Sequence, residues 1–186
     1  MPFIQTDIPG LQVFEPAIFQ DPRGYFFESY NEKLFADAGN HIKFVQDNQA
    51  RSVYGVIRGL HFQMAPNAQT KLVRVLTGSI LDVAVDLRKG SPTYGKVFSI
   101  ELTDENRKQL LVPKGFAHGY SVLSETAEVM YKCDAFYNKS SEGGIIYNDP
   151  ALNIDWGIPA DKAIVADKDK LYPALADCTH NFIYEG

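Results

Sequence analysis

The chain has 186 residues, 45% of them hydrophobic and 22% charged, which is material for one domain with a sizeable core and excludes a disordered chain. Its net charge of -5 argues against wide contact with nucleic-acid backbone, which needs a basic face, and still leaves room for a small anionic ligand in a local cleft. Cys133 and Cys178 form no CxxC pair and no zinc-ligand spacing, so they read as free thiols of a reducing compartment.

Residues 1–10 carry no basic region followed by an apolar run, and no apolar stretch approaches a membrane span; the expectation is a soluble cytoplasmic protein with no membrane partner. The first clear element is a short helix over 31–38, with Glu32 and Lys33 in its first turn, Leu34 and Phe35 as apolar contacts and Gly39 as its stop. An apolar segment at 54–57 leads towards His61, which therefore falls on or just after a strand. Strands at 71–76 and 80–87 flank Thr77-Gly78-Ser79, a hairpin signal. In the second of these, Leu81, Val83, Val85 and Leu87 share one face, and Ile80, Asp82, Ala84 and Asp86 share the other. Further strands are predicted at 97–102, 108–112, 119–123 and 127–135. From about residue 138 the chain is loop-rich, with one short helix near 168–172 ended by Pro173. This tail is expected to wrap over the strand core. The pattern predicts an all-β fold, a jelly-roll sandwich or barrel with a few short helices, as a single domain over residues 1–186.

Several polar residues interrupt this apolar framework. His61 sits in Arg58-Gly59-Leu60-His61-Phe62-Gln63. A histidine in apolar surroundings is more often a satisfied core residue than a base, but Arg58 beside it and Lys71 on the next strand raise the catalytic reading, because cations are rarely buried without an anionic partner or ligand. His118 lies in Phe116-Ala117-His118-Gly119. Neither histidine has further ligands at short spacing, so a metal site is disfavoured. Tyr131 is either an interior strand aromatic or a phenol that holds its proton at neutral pH and serves as a general acid, complementing a neutral imidazole base. A carboxylate that orients such a base is available in the tail at Asp167 or Asp169, and Asp82 or Asp86 on the strand face are further choices. Arg23, in a turn ahead of an aromatic run, suits phosphate, and Gln46 and Asn48 offer amides suited to a pyrimidine edge. No GxGxxG nicotinamide fingerprint is present.

Taken together, these segments resemble the dTDP-4-dehydrorhamnose 3,5-epimerase family. The motifs are DPRGYFFES at 21–29, FVQDN at 44–48, RGLHFQ at 58–63, NAQTKLVR at 67–74, DVAVDLR at 82–88, SPTYG at 91–95, VPKGFAHG at 112–119, Tyr131-Lys132, SSEG at 140–143 and ADKD at 166–169. Each is weak alone, and the ordered set is specific. The resemblance implies a cupin-type jelly roll acting as a homodimer, without metal or other cofactor, on a dTDP-linked 4-keto-6-deoxy sugar epimerised at C3 and C5. It implies His61 as base, Asp169 as its carboxylate partner, Tyr131 as the acid on the opposite face and Lys71 as the cation at the enolate oxygen. Arg23, Glu28, Gln46, Asn48, Arg58, His118, Glu142 and Lys168 match substrate-binding positions, and the segment with Arg23 and Glu28 is expected to reach the partner's site. Met64-Ala65-Pro66 and Tyr120 are small departures. Tyr120 follows His118-Gly119 near the expected cleft and bears on whether one carbon or both are epimerised.

Overall fold

The computed structural model describes residues 2–186; Met1, which opens the N-terminal segment considered above, lies outside them. In chain order the strands are β1 (Phe3–Gln5), β2 (Gln12–Phe14), β3 (Phe19–Asp21), β4 (Gly24–Phe26), β5 (Gln46–Val53), β6 (Val56–Gln63), β7 (Lys71–Thr77), β8 (Ser79–Asp86), β9 (Val97–Thr103), β10 (Gln109–Val112), β11 (Phe116–Val122), β12 (Thr126–Cys133), β13 (Glu142–Gly144) and β14 (Ile164–Val165). One helix, α1 (Glu32–Asp37), falls between β4 and β5. Two sheets face each other in a jelly roll. The first runs β1-β2-β10-β7-β12-β5 and the second β13-β6-β11-β8-β9, while β3 and β4 form a separate hairpin.

The apolar alternation of the strands builds the interior between the sheets. Val73, Val75, Leu110, Val112 and Val129 of the first sheet meet Ile80, Ala84, Tyr120 and Val122 of the second. Strand β8 is buried on both sides, because its other face, with Val83 and Val85, is covered by Ile145, Leu152, Trp156, Val165 and Phe182 of the tail. The tail does more than cover. Its β13 pairs antiparallel with one end of β6, and β14 pairs parallel with the other. Helix α1 packs its Phe35 against Phe14, Leu72 and Leu111 on the outside of the first sheet. The Asn31 side chain caps it by accepting the Leu34 N–H at 3.2 Å, and Gly39 leaves it at a φ of +87°, as C-terminal glycines do.

The hairpin expected at Thr77-Gly78-Ser79 does not form. Strands β7 and β8 belong to different sheets, so Gly78 carries the chain across the sandwich. Its φ is +81°, and a Cβ there would come within 2.2 Å of the Thr126 carbonyl oxygen; the glycine serves a close crossover between sheets and not the expected hairpin. Strand β5 escaped prediction because its sequence, Gln46-Asp47-Asn48-Gln49-Ala50-Arg51-Ser52-Val53, is almost wholly polar on an edge position. The short helix read near 168–172 is a 3-10 turn, Asp169–Leu171. Among the described residues, no helix is long and apolar enough to cross a membrane.

Candidate active site

A cavity of about 490 Å³ opens between the two sheets. Arg58, His61, His118 and Tyr120 line it from β6 and β11 of one sheet. Lys71 and Tyr131 face it from β7 and β12 of the other. The tail closes one side through Ile164, Val165, Lys168 and Asp169. Polar groups on facing strands converge here because the alternation that buries their apolar neighbours points them inward.

His61 lies on β6 opposite His118 of β11. Its Nε2 is 2.7 Å from Oδ1 of Asp169, and Oδ2 of the same carboxylate accepts the Gly59 N–H at 3.3 Å. Burial by itself would raise the Asp169 pKa, but the hydrogen bond and charge of His61, helped by Gly59 and Lys168, hold it below the usual carboxylate range. A proton on Nε2 donated to this carboxylate leaves Nδ1 with the free lone pair of the imidazole. The Gly59 donor depends on close strand approach: a Cβ on Gly59 would stand 2.6 Å from Cα of Gly119.

The structure sorts the four carboxylates that sequence left open. Asp169 takes His61. Asp82 takes His118, with Oδ1 at 2.8 Å from Nε2, and its other oxygen is buried without a partner. Asp86 is consumed by Arg88, Ser91 and Thr93. Asp167 is exposed and pairs with Lys170. Both cavity histidines are thus engaged by carboxylates, and no three His, Cys, Asp or Glu side chains form a metal-ligand group among the described residues.

On the facing wall, the Lys71 Nζ lies 5.7 Å from the centre of the Tyr131 ring. Burial pushes the Lys71 ammonium below the usual lysine range, and Cys133, Asp82 and Glu142 offset only part of that. Burial pushes the Tyr131 phenol up, with Cys133 and Tyr120 adding to the effect and Arg58 opposing it. The site therefore joins a carboxylate-oriented imidazole on one sheet to a buried cation and a protonated phenol on the other. That arrangement suits removal of a proton from one face of a carbon acid, stabilisation of the resulting oxyanion and return of a proton to the other face.

The family profile described as dTDP-4-dehydrorhamnose 3,5-epimerase matches residues 5–177. The chain belongs to the dTDP-4-dehydrorhamnose 3,5-epimerase family. It is 50% identical over 170 residues to the dTDP-4-dehydrorhamnose 3,5-epimerase of Shigella flexneri, a match covering 91% of this chain and 93% of the relative. Its fold superimposes with a TM-score of 0.90 on a dTDP-6-deoxy-D-glucose-3,5-epimerase from Legionella pneumophila solved with dTDP-4-keto-L-rhamnose, at 45% identity over 94% of this chain and 93% of that one. It also resembles a 3'-monoepimerase from Streptomyces bikiniensis solved with dTDP-quinovose, at a TM-score of 0.86, 31% identity, and 92% and 86% coverage.

The remaining positions singled out from the epimerase motifs fall into two groups. Gln46 and Asn48 form one hydrogen-bonded pair and Glu142 and Lys168 another, linked through Tyr137, whose N–H donates to Gln46 at 3.0 Å; of the four, Lys168 lines the cavity. The Gln46 amide donates to Asn48 Oδ1 at 2.9 Å, and Asn48 donates to the Cys133 sulfur at 3.6 Å. Glu142 accepts from Lys168 and, at 3.1 Å, from the Tyr137 hydroxyl. Burial would raise the Glu142 carboxyl, but these two partners hold it below its usual range. Arg23 and Glu28 are not brought to this cavity. Arg23 is exposed on the β3–β4 hairpin and pairs with Asp21 at 2.5 Å, while Glu28 accepts from Asn31 at 3.2 Å. Sequence reasoning missed Tyr137 and the role of Asp82 towards His118. The signal for Asp82 was present: it is the acid between Ile80 and Ala84 on the interior face of β8, and an acid there requires a partner.

Proposed function

We propose that this cavity epimerises C3 and C5 of dTDP-4-dehydro-6-deoxy-D-glucose, giving dTDP-4-dehydro-L-rhamnose, with His61 as the base. The observation that carries the assignment is the 2.7 Å His61–Asp169 pair on one wall facing Lys71 and Tyr131 on the other. The C4 ketone acidifies the carbons on either side of it. His61 takes a proton from such a carbon, and Asp169 stabilises the imidazolium that forms. The electron pair moves to the C4 oxygen, where the Lys71 ammonium counters the new charge. Tyr131 then delivers its proton from the opposite wall, which inverts the centre. The C4 ketone re-forms as the proton arrives, and exchange with solvent returns a proton to Tyr131 and removes the one on His61 before the second carbon reacts; no hydride moves and no carbon–oxygen single bond breaks, so the chemistry needs only proton donors and acceptors.

Arg58, His118, Gln46, Asn48, Glu142 and Lys168 are read as the groups that hold the sugar nucleotide. We further infer a homodimer in which the β3–β4 hairpin carries Arg23 and Glu28 to the neighbouring site. The exposed Phe19, Tyr25 and Phe26 on that hairpin support this, since aromatic side chains at 65%, 56% and 66% exposure call for a covering surface. The higher identity to the 3,5-epimerases than to the 3'-monoepimerase, 50% and 45% against 31%, favours action at both carbons. The test is product analysis by NMR after incubation with dTDP-4-dehydro-6-deoxy-D-glucose in deuterated water. Deuterium at C3 and C5 with the L-configured product is expected, and deuterium at one carbon only refutes the double epimerisation.

A further inference from the structure

Arg58 is held in an orientation that nothing in the reaction itself explains. It projects from β6 of the second sheet, and its Nε donates at 3.1 Å to Oγ of Ser52 on β5, the edge strand of the first sheet. Ser52 is buried, at 7% exposure, and its backbone is locked opposite Ala127 in the β5–β12 ladder. The strand sequence around it is otherwise exposed on alternate positions, so this serine is turned inward by the pleat. The bond therefore joins the two sheets where the chain turns from β5 into β6.

A guanidinium offers two edges for planar, two-pronged recognition: one made of Nε and one terminal nitrogen, the other of the two terminal nitrogens. With Nε donated to Ser52, the edge built on Nε is occupied. The pair of terminal nitrogens is the edge left to meet a ligand. Arg58 lines the cavity, so Ser52 decides which edge the cavity sees. We propose that Ser52 is a positioning residue for substrate binding: it fixes Arg58 so that its two terminal nitrogens address an oxygen pair of the bound sugar nucleotide. This rests on the function proposed above and adds a residue to its binding machinery. Ser52 touches neither the His61–Asp169 pair nor Lys71, so its main effect falls on binding; it bears on proton transfer only secondarily, through Arg58, which opposes the upward push on the Tyr131 phenol.

The experiment compares Ser52→Ala, Ser52→Thr and Arg58→Lys, with the double variant Ser52→Ala/Arg58→Lys, by steady-state epimerisation of dTDP-4-dehydro-6-deoxy-D-glucose. Loss of a hydrogen bond that orients a charged group predicts a rise of about tenfold in KM for Ser52→Ala, with kcat within about twofold. Threonine keeps the hydroxyl and is tolerated on an edge strand, so Ser52→Thr should restore KM. Lysine has no guanidinium edge to select, so Ser52→Ala should add nothing on the Arg58→Lys background. An unchanged KM in Ser52→Ala overturns the inference, as does a fall in kcat without a KM effect, a failure of threonine to rescue, or full additivity in the double variant. If the wild type exchanges no proton of this substrate, the functional reading falls and takes the inference with it; if the wild type turns over normally, only the role of Ser52 is at stake.

Discussion

Asp169→Asn is the most informative single change to the His61 pair. The two residues are nearly the same size, so the cavity keeps its shape. What changes is the hydrogen-bond sense. Asp169 serves two donors, His61 through Oδ1 and the Gly59 N–H through Oδ2. An asparagine has one acceptor oxygen, and if that oxygen keeps Gly59, its amide NH2 faces Nε2 of His61. Nε2 must then carry the lone pair, Nδ1 carries the proton, and the base is presented in the wrong tautomer. The charge is lost as well. Opposite unit charges about 4 Å apart interact by about 4 kcal/mol at an effective dielectric constant of about 20. His61 is 30% exposed at its side chain, so solvent removes part of this, leaving about 3 kcal/mol, or roughly a hundredfold in rate. Together the two effects predict a kcat lower by about 10² to 10³ with little change in dTDP binding, measured by solvent deuterium uptake and by titration calorimetry. A variant that keeps more than about a tenth of wild-type kcat refutes the assignment of Asp169 as the orienting group. A stability consequence follows from the same pair. The Asp169 carboxyl is lowered in the folded protein, so its contribution is present above the unfolded value of about 3.9 and is lost as pH falls through the lower folded value. The wild type's urea midpoint should therefore exceed that of Asp169→Asn at neutral pH and converge on it in strong acid.

Tyr131→Phe removes the proposed proton donor of the opposite wall without emptying its space; deuterium uptake from solvent should outlast net epimerisation, and equal loss of both indicates a structural role for the phenol. Burial lowers the Lys71 ammonium from the usual lysine range, which brings loss of the cation towards the working pH range. The alkaline limb of the kcat profile should belong to Lys71, and Lys71→Arg, which stays charged, should move that limb upward while reducing kcat at neutral pH; a limb that stays in place assigns it to another group. Gly59→Ala places a Cβ 2.6 Å from Gly119 Cα at a φ of +130°, which should cost about 3 kcal/mol or more in denaturant stability and impair exchange by shifting the N–H that Asp169 accepts.

How far the sequence could be read depended on what each residue needs from its neighbours. The strand alternation of β8 identified two distinct faces, but not that both are buried, because the second is covered by residues about sixty or more positions downstream such as Ile145 and Trp156. The Gly78 turn was legible as a turn and illegible as a crossover, since β7 pairs with β10 and β12 and β8 with β11 and β9, never with each other, and only the β9 pairing is local in the chain. His61 alone had no decisive signal. The facing Lys71 and Tyr131, and the pairing with Asp169, emerge only when the sheets close and the tail returns to β6. The choice among Asp82, Asp86, Asp167 and Asp169 was likewise a tertiary question. It was answered by local competition: Asp86 is saturated by Arg88, Ser91 and Thr93, and Asp167 points to solvent.

His61 is proposed as the single base that opens both carbons beside the ketone. The direct measurement is NMR of dTDP-4-dehydro-6-deoxy-D-glucose in deuterated water with the wild type and His61→Ala side by side, after both are shown to bind dTDP. Deuterium is expected at C3 and C5 with the wild type and at neither carbon with the variant. Near-normal exchange at either carbon in His61→Ala contradicts it.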